Sequence, residues 1–214
     1  MFSRSTYKDK VKNYIIDLIL TQKISPGTQV KEKKVAETLK ISRAPVRGAL
    51  RELRAEKILE YKPYKGTFLK KNTPKEALDI YITRGLLEGY AVVDALEHNL
   101  KKIRKLSNIV TKMYKAALKK DHKKLIEWGN QFHNLLIDRC SNKLLLYETK
   151  RLGLICHILF FNYWPRIYSP EQIKTRYNNI LHILKKRDKI QLEYIIREHY
   201  FETGGKISNL IKAG

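Results

Sequence analysis

Three stretches with apolar residues at helical spacing, followed by one alternating stretch, fill the first 70 residues. The helical stretches are centred on Tyr7 to Leu20, Val35 to Leu39 and Val46 to Leu53. From Leu59 to Leu69 apolar and polar residues alternate, which is typical of two short strands. The residues from Pro63 to Gly66 form the turn between these strands. The pattern predicts three helices and then a β-hairpin.

Only Lys40 and Ile41 separate the second helix from the third. Ser42 is a suitable N-cap for the third helix because its hydroxyl can accept from a first-turn amide, and Pro45 fits within that first turn. Arginines line the outer side of this helix, at Arg43, Arg47, Arg51 and Arg54. The order of elements predicts a winged helix-turn-helix, which places its second motif helix in the DNA major groove.

The remainder of the chain predicts helices throughout. After a short linker over residues 72–75, in which Thr73 can cap and Pro74 can open a helix, apolar periodicity continues to the end. The predicted helices are 75–98, 101–119, 121–139, 143–163, 170–186 and 189–211. We therefore predict a mainly α protein: a winged helix-turn-helix over residues 1–71 and an all-helical bundle over 76–214 with room for a pocket.

Charge favours a polyanionic partner. The 214 residues carry a formal net charge of +23. Residues 1–71 contribute 18 Lys/Arg against 7 Asp/Glu, so the excess is spread over both halves. A generally lysine-rich composition explains part of it. The arginine-lined helix and the basic hairpin, rather than the charge alone, indicate DNA binding.

The remaining composition indicates a soluble, cytoplasmic protein. Cys140 and Cys156 lack metal-type spacing and are expected to be buried thiols. Charged residues interrupt the apolar run near the N-terminus, so no signal peptide is expected. The apolar stretch from Leu152 to Phe161 is too short to cross a bilayer.

The DNA-binding half resembles a known family. The run from Ser42 to Leu50 is similar to the S-R-x-P-V-R-x-A-L signature of GntR-type bacterial transcription regulators, and the P-G and x-G elements of that family have counterparts at Pro26-Gly27 and Lys65-Gly66. Gly48 replaces a usual Glu, and Lys57 replaces a usual Gly at a position expected to be left-handed. Neither departure removes a residue expected to contact DNA.

The helical half resembles the effector domain of the FadR branch of that family. The resemblance covers the segment from Arg84 to Glu88, the pair Phe132-His133, the run from Ser141 to Leu144, and the stretch from Tyr177 to His199. It implies a bundle of six or seven helices around an effector cavity.

Many members of that branch hold a divalent metal with one Asp and three His. The matching positions in this chain are Gly129, His133, Tyr177 and His199. Two imidazoles without a carboxylate are a weak site for such an ion, so no metal or other cofactor is expected. The alternative is a residual metal site in which His157 joins His133 and His199.

The two histidines at these matching positions, His133 and His199, have two further interpretations. They are either satisfied bundle-interior residues or direct ligands of an organic effector, for which Tyr177 would supply a hydroxyl. Arg84 and Arg151 are candidates for pairing with an anionic effector because a guanidinium binds carboxylate bidentately. The alternative for both arginines is a salt bridge at the edge of the bundle, for example between Arg84 and Glu88.

These features favour a homodimeric, ligand-responsive transcription regulator, in particular a repressor, and not an enzyme. Its partners would be a palindromic double-stranded DNA operator and a small-molecule effector such as a carboxylate, without a membrane. The predicted effector-binding residues are Arg84, His133, Arg151, Tyr177 and His199. The predicted DNA-binding residues are Lys33, Ser42, Arg43, Ala44, Pro45, Arg47, Lys65 and Gly66.

Three other functions remain open at this point. A metal-responsive regulator would need the residual histidine site. A non-specific nucleic-acid-binding protein would account for the even spread of charge and would bind with little sequence preference. An enzyme is disfavoured because the sequence has no nucleophile elbow, phosphate-binding glycine loop or HExxH motif.

Overall fold

The computed structural model describes residues 6–213, except for the side chain of Leu100. Residues 1–5 of the predicted DNA-binding half and Gly214 lie outside this range. The described chain forms two compact units, and the boundary between them falls between Asn72 and Thr73. Each unit has its own apolar core.

The first unit contains three helices and a two-stranded sheet within residues 6–72. The elements are α1 (Tyr7–Leu20), α2 (Glu32–Leu39), α3 (Arg43–Ala55), β1 (Leu59–Lys62) and β2 (Gly66–Leu69). Helix α1 begins with a capping box, in which Thr6 and Asp9 satisfy each other's backbone amides. Ile15, Val46 and Leu53 are fully buried where α1 packs on α3. Burial of each such side chain favours folding by about 1.5–3 kcal/mol.

The two strands form the predicted antiparallel hairpin. Leu59 pairs with Leu69 at its base, and Lys62 pairs with Gly66 at its tip. Gln29 adds an isolated bridge to Phe68. Lys57 has φ +61°, so the prediction of a left-handed residue after α3 is confirmed. Gly66 has φ +97°, a conformation that glycine adopts without steric cost.

The second unit is a helical bundle. Residues 73–213 form seven helices, which agrees with the expectation of six or seven. They are α4 (Pro74–Asp94), α5 (Leu96–Leu100), α6 (Ile103–Leu118), α7 (His122–Ile137), α8 (Lys143–Ile167), α9 (Pro170–Lys186) and α10 (Lys189–Ala213). Helix α4 packs along α10 and α8, while α6 packs against α7 and α9.

Side-chain caps explain where several of these helices begin. Thr73 and Ser169 each form a capping box, and each is followed by a proline in the first turn. Asp121 and Asn142 accept from backbone amides at the starts of α7 and α8. Helix α4 therefore begins inside the stretch that the sequence predicted as linker.

Two predicted helix boundaries were wrong. The predicted helix 75–98 is two helices, because α4 ends at Asp94 and α5 begins at Leu96. Helix α8 continues through Pro165 to Ile167, although the sequence predicted an end near residue 163. Pro165 lies in the last turn, where it removes one backbone hydrogen bond, and the buried Trp164 beside it anchors that turn in the core.

Helices α4 and α10 lie unusually close together because small residues line their contact. A Cβ added at Gly204 would lie 2.5 Å from Cβ of Tyr81, and one at Gly85 would lie 3.0 Å from Cβ of Tyr200. Real Cβ atoms do not approach as closely as 2.5 Å, so Gly204 excludes a side chain, whereas a side chain at Gly85 would force its neighbours to shift by a few tenths of an ångström. The close approach brings Tyr81 and Tyr200 to the centre of the bundle.

Among residues 6–213, no helix combines the length and apolar character that crossing a bilayer requires.

Candidate functional site

One candidate site is the exposed side of α3. Arg43 and Arg47 are exposed, and Nε of Arg47 lies 3.5 Å from a carboxylate oxygen of Glu32 on α2. Arg54 differs from the prediction, because it is half-buried with its guanidinium 5.2 Å from the centre of the Tyr61 ring. Two of the predicted contact residues, Arg43 and Arg47, are thus available at the start of the helix.

Ser42 occupies the N-cap position of α3, as the sequence predicted. Its hydroxyl nevertheless makes no capping hydrogen bond in the part of the chain that the structure describes. The predicted bond was therefore wrong, while the predicted position was right. Lys33 and Ala44 are also exposed, and Pro45 is half-buried in the first turn of the helix.

The tip of the hairpin is held in a defined shape. The side-chain amide of Gln29 donates to the backbone oxygen of Lys65 at 2.6 Å. Tyr64 is fully exposed and has φ +59°, a left-handed conformation that is uncommon for a side chain of its size. Lys65 is exposed beside it. The tip therefore presents an aromatic ring and an ammonium group on a fixed backbone.

The unusual glycine in α3 has a local explanation. A Cβ at Gly48 would lie 3.0 Å from Cδ of Lys8. The Lys8 side chain crosses α3 at this point and forms an ion pair with Glu52. Gly48 thus makes room for a contact between α1 and α3.

The second candidate site is a cavity of about 50 Å³ inside the helical unit. This volume holds a few water molecules, since each needs about 10–15 Å³ of such space. The cavity is lined by residues from α4 and from α6 to α10. The polar lining residues are Tyr81, Arg84, His133, Cys156, His157, Tyr168, Arg176, Tyr177, His199, Tyr200 and Thr203.

A buried carboxylate lies against this cavity. Glu88 is 0% exposed and accepts from His133 Nδ1 at 2.5 Å and from the Tyr200 hydroxyl at 2.8 Å. Arg84 donates to it from Nε at 3.3 Å and from Nη2 at 3.2 Å. Burial alone raises the pKa of Glu88, but His133 and Arg84 outweigh that effect and hold this pKa below its ordinary value.

The carboxylate is linked to the cavity through His133. Nε2 of His133 lies 3.1 Å from the Tyr177 hydroxyl, and the imidazole ring of His199 lies 5.2 Å from that of His133 between centres. Because Glu88 can only accept when ionised, Nδ1 of His133 carries the proton that they share. A change at the Tyr177 hydroxyl is therefore coupled through one imidazole to Glu88.

The other two cavity histidines are neutral. Burial, and then electrostatic interactions with Arg84 and His133, hold the pKa of His157 well below its ordinary value. The pKa of His199 is also well below its ordinary value, because of burial and then of Arg176, with smaller effects of His133 and Arg84. Neutral imidazoles donate from one nitrogen and accept at the other, so these two residues can bind either kind of group.

The predicted anion-binding arginines differ in position. Arg84 is 1% exposed, so its pair with Glu88 lies inside the bundle and not at its edge. Its Nη1 finds no hydrogen-bond partner among residues 6–213. Arg151 is not among the cavity-lining residues of the described chain; it is half-exposed and donates to Glu148 at 2.7 Å. Arg151 therefore lies outside this cavity, and its guanidinium is engaged by Glu148 on the same helix.

Sequence reasoning missed Arg176. This residue lines the cavity and donates from Nη2 to the backbone oxygen of His199 at 2.9 Å and to Thr203 Oγ1 at 3.2 Å. Its neighbour Tyr177 drew attention only because it replaces a histidine. The available signal was that Arg176 directly precedes Tyr177, a residue that was expected in the cavity.

The four positions that match the metal ligands of the FadR branch do converge. His133, Tyr177, His199 and Gly129 all line the cavity. Within the described residues, however, no group of three His, Cys, Asp or Glu side chains is placed to hold a metal ion. Glu88 approaches His133 but is already saturated by Arg84 and Tyr200. The donor set does not fit a divalent ion.

Comparison with known proteins follows the division into two units. Residues 7–69 match the model of the bacterial regulatory proteins of the gntR family, and residues 79–202 match the FCD domain. Together these matches cover both units. The chain belongs to the GntR family, with an FCD domain. It is a transcription regulator and not an enzyme.

Two similar proteins are named as operon repressors. A probable D-xylose utilization operon transcriptional repressor from Paenarthrobacter nicotinovorans is 27% identical over 152 residues, which are 71% of this chain and 67% of the relative. The gluconate operon transcriptional repressor of Bacillus licheniformis is 24% identical over 204 residues, covering 90% of this chain and 81% of the relative.

A solved structure supports the GntR fold. Escherichia coli McbR/YncC superposes with a TM-score of 0.77 at 21% identity, covering 98% of this chain and 99% of that protein. At this identity the comparison supports the fold alone.

Proposed function

We propose that this protein is a repressor that binds a near-palindromic DNA operator as a homodimer and responds to a small organic acid bound in the cavity of its FCD domain. The observation that carries this proposal is a buried guanidinium: Arg84 lines a polar cavity, and its Nη1 has no hydrogen-bond partner in the described chain. A buried donor without a partner costs about 1–3 kcal/mol, and a ligand oxygen would remove that cost.

In the DNA-binding unit, Arg43 and Arg47 read bases. Both are exposed in the first turns of α3, where a helix-turn-helix contacts base edges. Bidentate pairing of an arginine with guanine O6 and N7 contributes about 1–3 kcal/mol of discrimination. Phosphates are bound by the exposed side chains of Lys33, Ser42 and Lys65, which fixes the register of the protein on the DNA. At Ala44, Pro45 and Gly66 the protein backbone comes close to the DNA.

The homodimer forms through the FCD unit. Exposed apolar side chains occur in pairs four residues apart on the two helices that pack together, at Leu86 and Tyr90 on α4 and at Ile190 and Tyr194 on α10. Such pairs form stripes on the helix surface that gain by burial against a second copy. Two-fold symmetry of the protein then requires two-fold symmetry of the operator.

The effector contacts Arg84, His133, Tyr177 and His199. Its binding changes the relative placement of the two DNA-binding units in the dimer. Such an effect requires that the acid bind more tightly to one arrangement than to the other. The protein acts where the bacterial chromosome lies, in the cytoplasm.

Selection from random DNA followed by footprinting tests this function. We expect an enriched sequence with two inverted half-sites, protected by two chains, and release of that DNA by a small carboxylic acid. Enrichment of no sequence over random DNA, with affinity set by salt alone, would instead identify a non-specific nucleic-acid-binding protein. Release by zinc or nickel without any acid would identify a metal-responsive regulator.

A further inference from the structure

Two guanidinium groups line the cavity, and their counter-ions differ in how easily they can be displaced. The partner of Arg84 is Glu88, which is 0% exposed and is also bound by His133 and Tyr200. Removing that carboxylate would leave several buried donors without an acceptor. The pair of Arg84 and Glu88 is therefore permanent, and its charges cancel.

The partner of Arg176 is in the opposite situation. Nη1 of Arg176 forms an ion pair with Glu202, whose side chain is 46% exposed, while that of Arg176 is 16% exposed. Glu202 also pairs with Lys206 at 2.7 Å. An exposed carboxylate of this kind can rotate into water at little cost, because surface ion pairs contribute only about 0–1 kcal/mol.

The surroundings of Arg176 hold it in place when Glu202 leaves. Its Nη2 remains bonded to the backbone oxygen of His199 and to Thr203 Oγ1. Its guanidinium lies 4.3 Å from the centre of the Tyr168 ring, and the ammonium of Lys206 lies at the same distance from that ring. Tyr168 donates to or accepts from Thr203 at 3.0 Å. Arg176 is thus a fixed cation whose Nη1 is exchangeable.

We propose that Arg176 binds the carboxylate of the effector, that Glu202 occupies this position in the ligand-free protein, and that the effector is a monocarboxylic acid bearing uncharged oxygen groups. This inference rests on the proposed function and narrows its ligand class. The carboxylate of the acid takes the place of the Glu202 carboxylate on Nη1 of Arg176. No covalent step is involved.

Charge explains why one carboxylate is bound and not two. Arg84 is already neutralised by Glu88, and His157 and His199 are uncharged, so the interior offers no second unpaired cation in the described chain. A second ionised carboxylate there would be buried without a counter-ion, which costs several kcal/mol. The interior instead offers Nη1 of Arg84, two neutral imidazoles and the Tyr177 hydroxyl, which suit hydroxyl or keto oxygens.

The cavity must widen to admit a three-carbon acid. Its volume of about 50 Å³ is a third of the roughly 150 Å³ that holds benzene in an engineered protein cavity. The lining residues Phe160, Arg176 and His199 are only partly buried, so they mark the side of the cavity nearest the solvent.

Calorimetric titration of the full-length protein with three-carbon probes of different charge tests this inference. The probes are glycerol, glycerate and malonate, which carry no, one and two carboxylates. We expect the wild type to bind glycerate and to discriminate against the other two. Glu202→Gln should bind glycerate more tightly, by up to about fivefold, because it removes the competing carboxylate.

A matched control separates competition from general charge. Glu198→Gln removes the same charge one turn earlier on α10, from an exposed residue that does not line the cavity within the described chain. It should leave the dissociation constant for glycerate within twofold. Arg176→Gln should weaken glycerate binding at least tenfold. Arg176→Lys keeps the charge, and comparing the melting curves of the two variants shows whether the loss in Arg176→Gln reflects misfolding.

Two results would overturn the inference while leaving the proposed function intact. One is an equal change of affinity in Glu202→Gln and Glu198→Gln. The other is a preference for malonate over glycerate. Absence of acid binding in both the wild type and Glu202→Gln would remove the small-acid effector itself, and this inference with it.

Discussion

The hydroxyl of Tyr177 lies 3.8 Å from the point that Cβ of residue 129 would occupy if Gly129 carried a side chain. Positions 129 and 177 correspond to the Asp and the middle His of the metal-binding form of the FadR branch. The phenol of Tyr177 extends toward the space that a side chain at position 129 would occupy. The same hydroxyl bonds Nε2 of His133 at 3.1 Å. The cavity therefore has a hydrogen-bonded phenol where a metal ion would need two ligands.

Metal removal should leave the protein unchanged. We expect chelation not to shift the melting temperature, because a dication held by two imidazoles would contribute little to folding. Elemental analysis should find no stoichiometric transition metal. The double variant Gly129→Asp, Tyr177→His is the positive control, since it restores one Asp and three His and should gain stability with zinc or nickel. One tightly held metal per wild-type chain would contradict this and would indicate His157 as the third ligand.

Stability should fall with acidification below about pH 6.5. His157 has a folded-state pKa well below its ordinary value, so in this range the unfolded chain binds a proton that the folded chain does not. Each such histidine lowers the free energy of unfolding by about 1.4 kcal/mol per pH unit. Glu88 contributes only below about pH 4.5, because its pKa is lowered rather than raised.

Urea unfolding at pH 7, 6 and 5 measures this slope. His157→Gln should make the dependence of the unfolding free energy on pH shallower, and the dependence that remains should come from His199. His182→Gln, at an exposed histidine of α9, is the control and should not change it. Equal slopes in the wild type and His157→Gln would show that His157 is protonated in the folded state.

Arg47→Ala should weaken operator selectivity strongly while leaving the fold intact. The Arg47 guanidinium is exposed on α3, and its Nε lies 3.5 Å from a carboxylate oxygen of Glu32. Loss of one bidentate base contact corresponds to about 1–3 kcal/mol. The measurement is the ratio of affinities for the operator and for random DNA. Arg104→Ala, at an exposed arginine of α6, should keep that ratio, and an unchanged ratio in Arg47→Ala would refute the assignment.

Lys65→Ala should weaken binding to all DNA sequences alike. The ammonium is exposed at the hairpin tip, where a phosphate contact carries no sequence information. The dependence of affinity on salt should also become shallower by about one counter-ion. Binding curves at several salt concentrations, for operator and random DNA, measure both effects. A loss confined to one base position would show that the hairpin reads sequence.

The isolated FCD unit, residues 73–214, should be a dimer. The apolar pairs on α4 and α10 belong to this unit, and α4 begins with its own capping box at Thr73. Light scattering at micromolar concentration measures the mass. Tyr90→Asp places a charge within one apolar pair and should shift the fragment toward monomer, whereas Glu127→Asp on α7 should not. A monomeric wild-type fragment would place the dimer contact elsewhere.

Periodicity predicted most of the elements because nearly every helix has a buried stripe and a local start signal. The caps at Thr73 and Ser169 are readable from sequence, since each precedes a proline. The break after Asp94 was not readable, because no glycine or proline marks it. The end of α8 was misplaced because the packing of Trp164 outweighs the usual effect of Pro165.

A family pattern named three of the cavity positions in advance. His133, Tyr177 and His199 were found in this way, and they do line the cavity. Arg151 was chosen for its chemistry alone, and its spacing from Glu148 satisfied it locally. Arg176 was missed because its role depends on contacts with α10, 23 to 27 residues farther along the chain.

The burial of Glu88 has a consequence for how a ligand-responsive domain is maintained without its ligand. Because Glu88 neutralises Arg84 from within the same helix, the Arg84 guanidinium leaves no uncompensated charge in the ligand-free bundle over residues 73–213. The domain can therefore remain folded when the effector is scarce. The free energy of effector binding then acts on the choice between two folded arrangements, rather than on the choice between folded and unfolded chains.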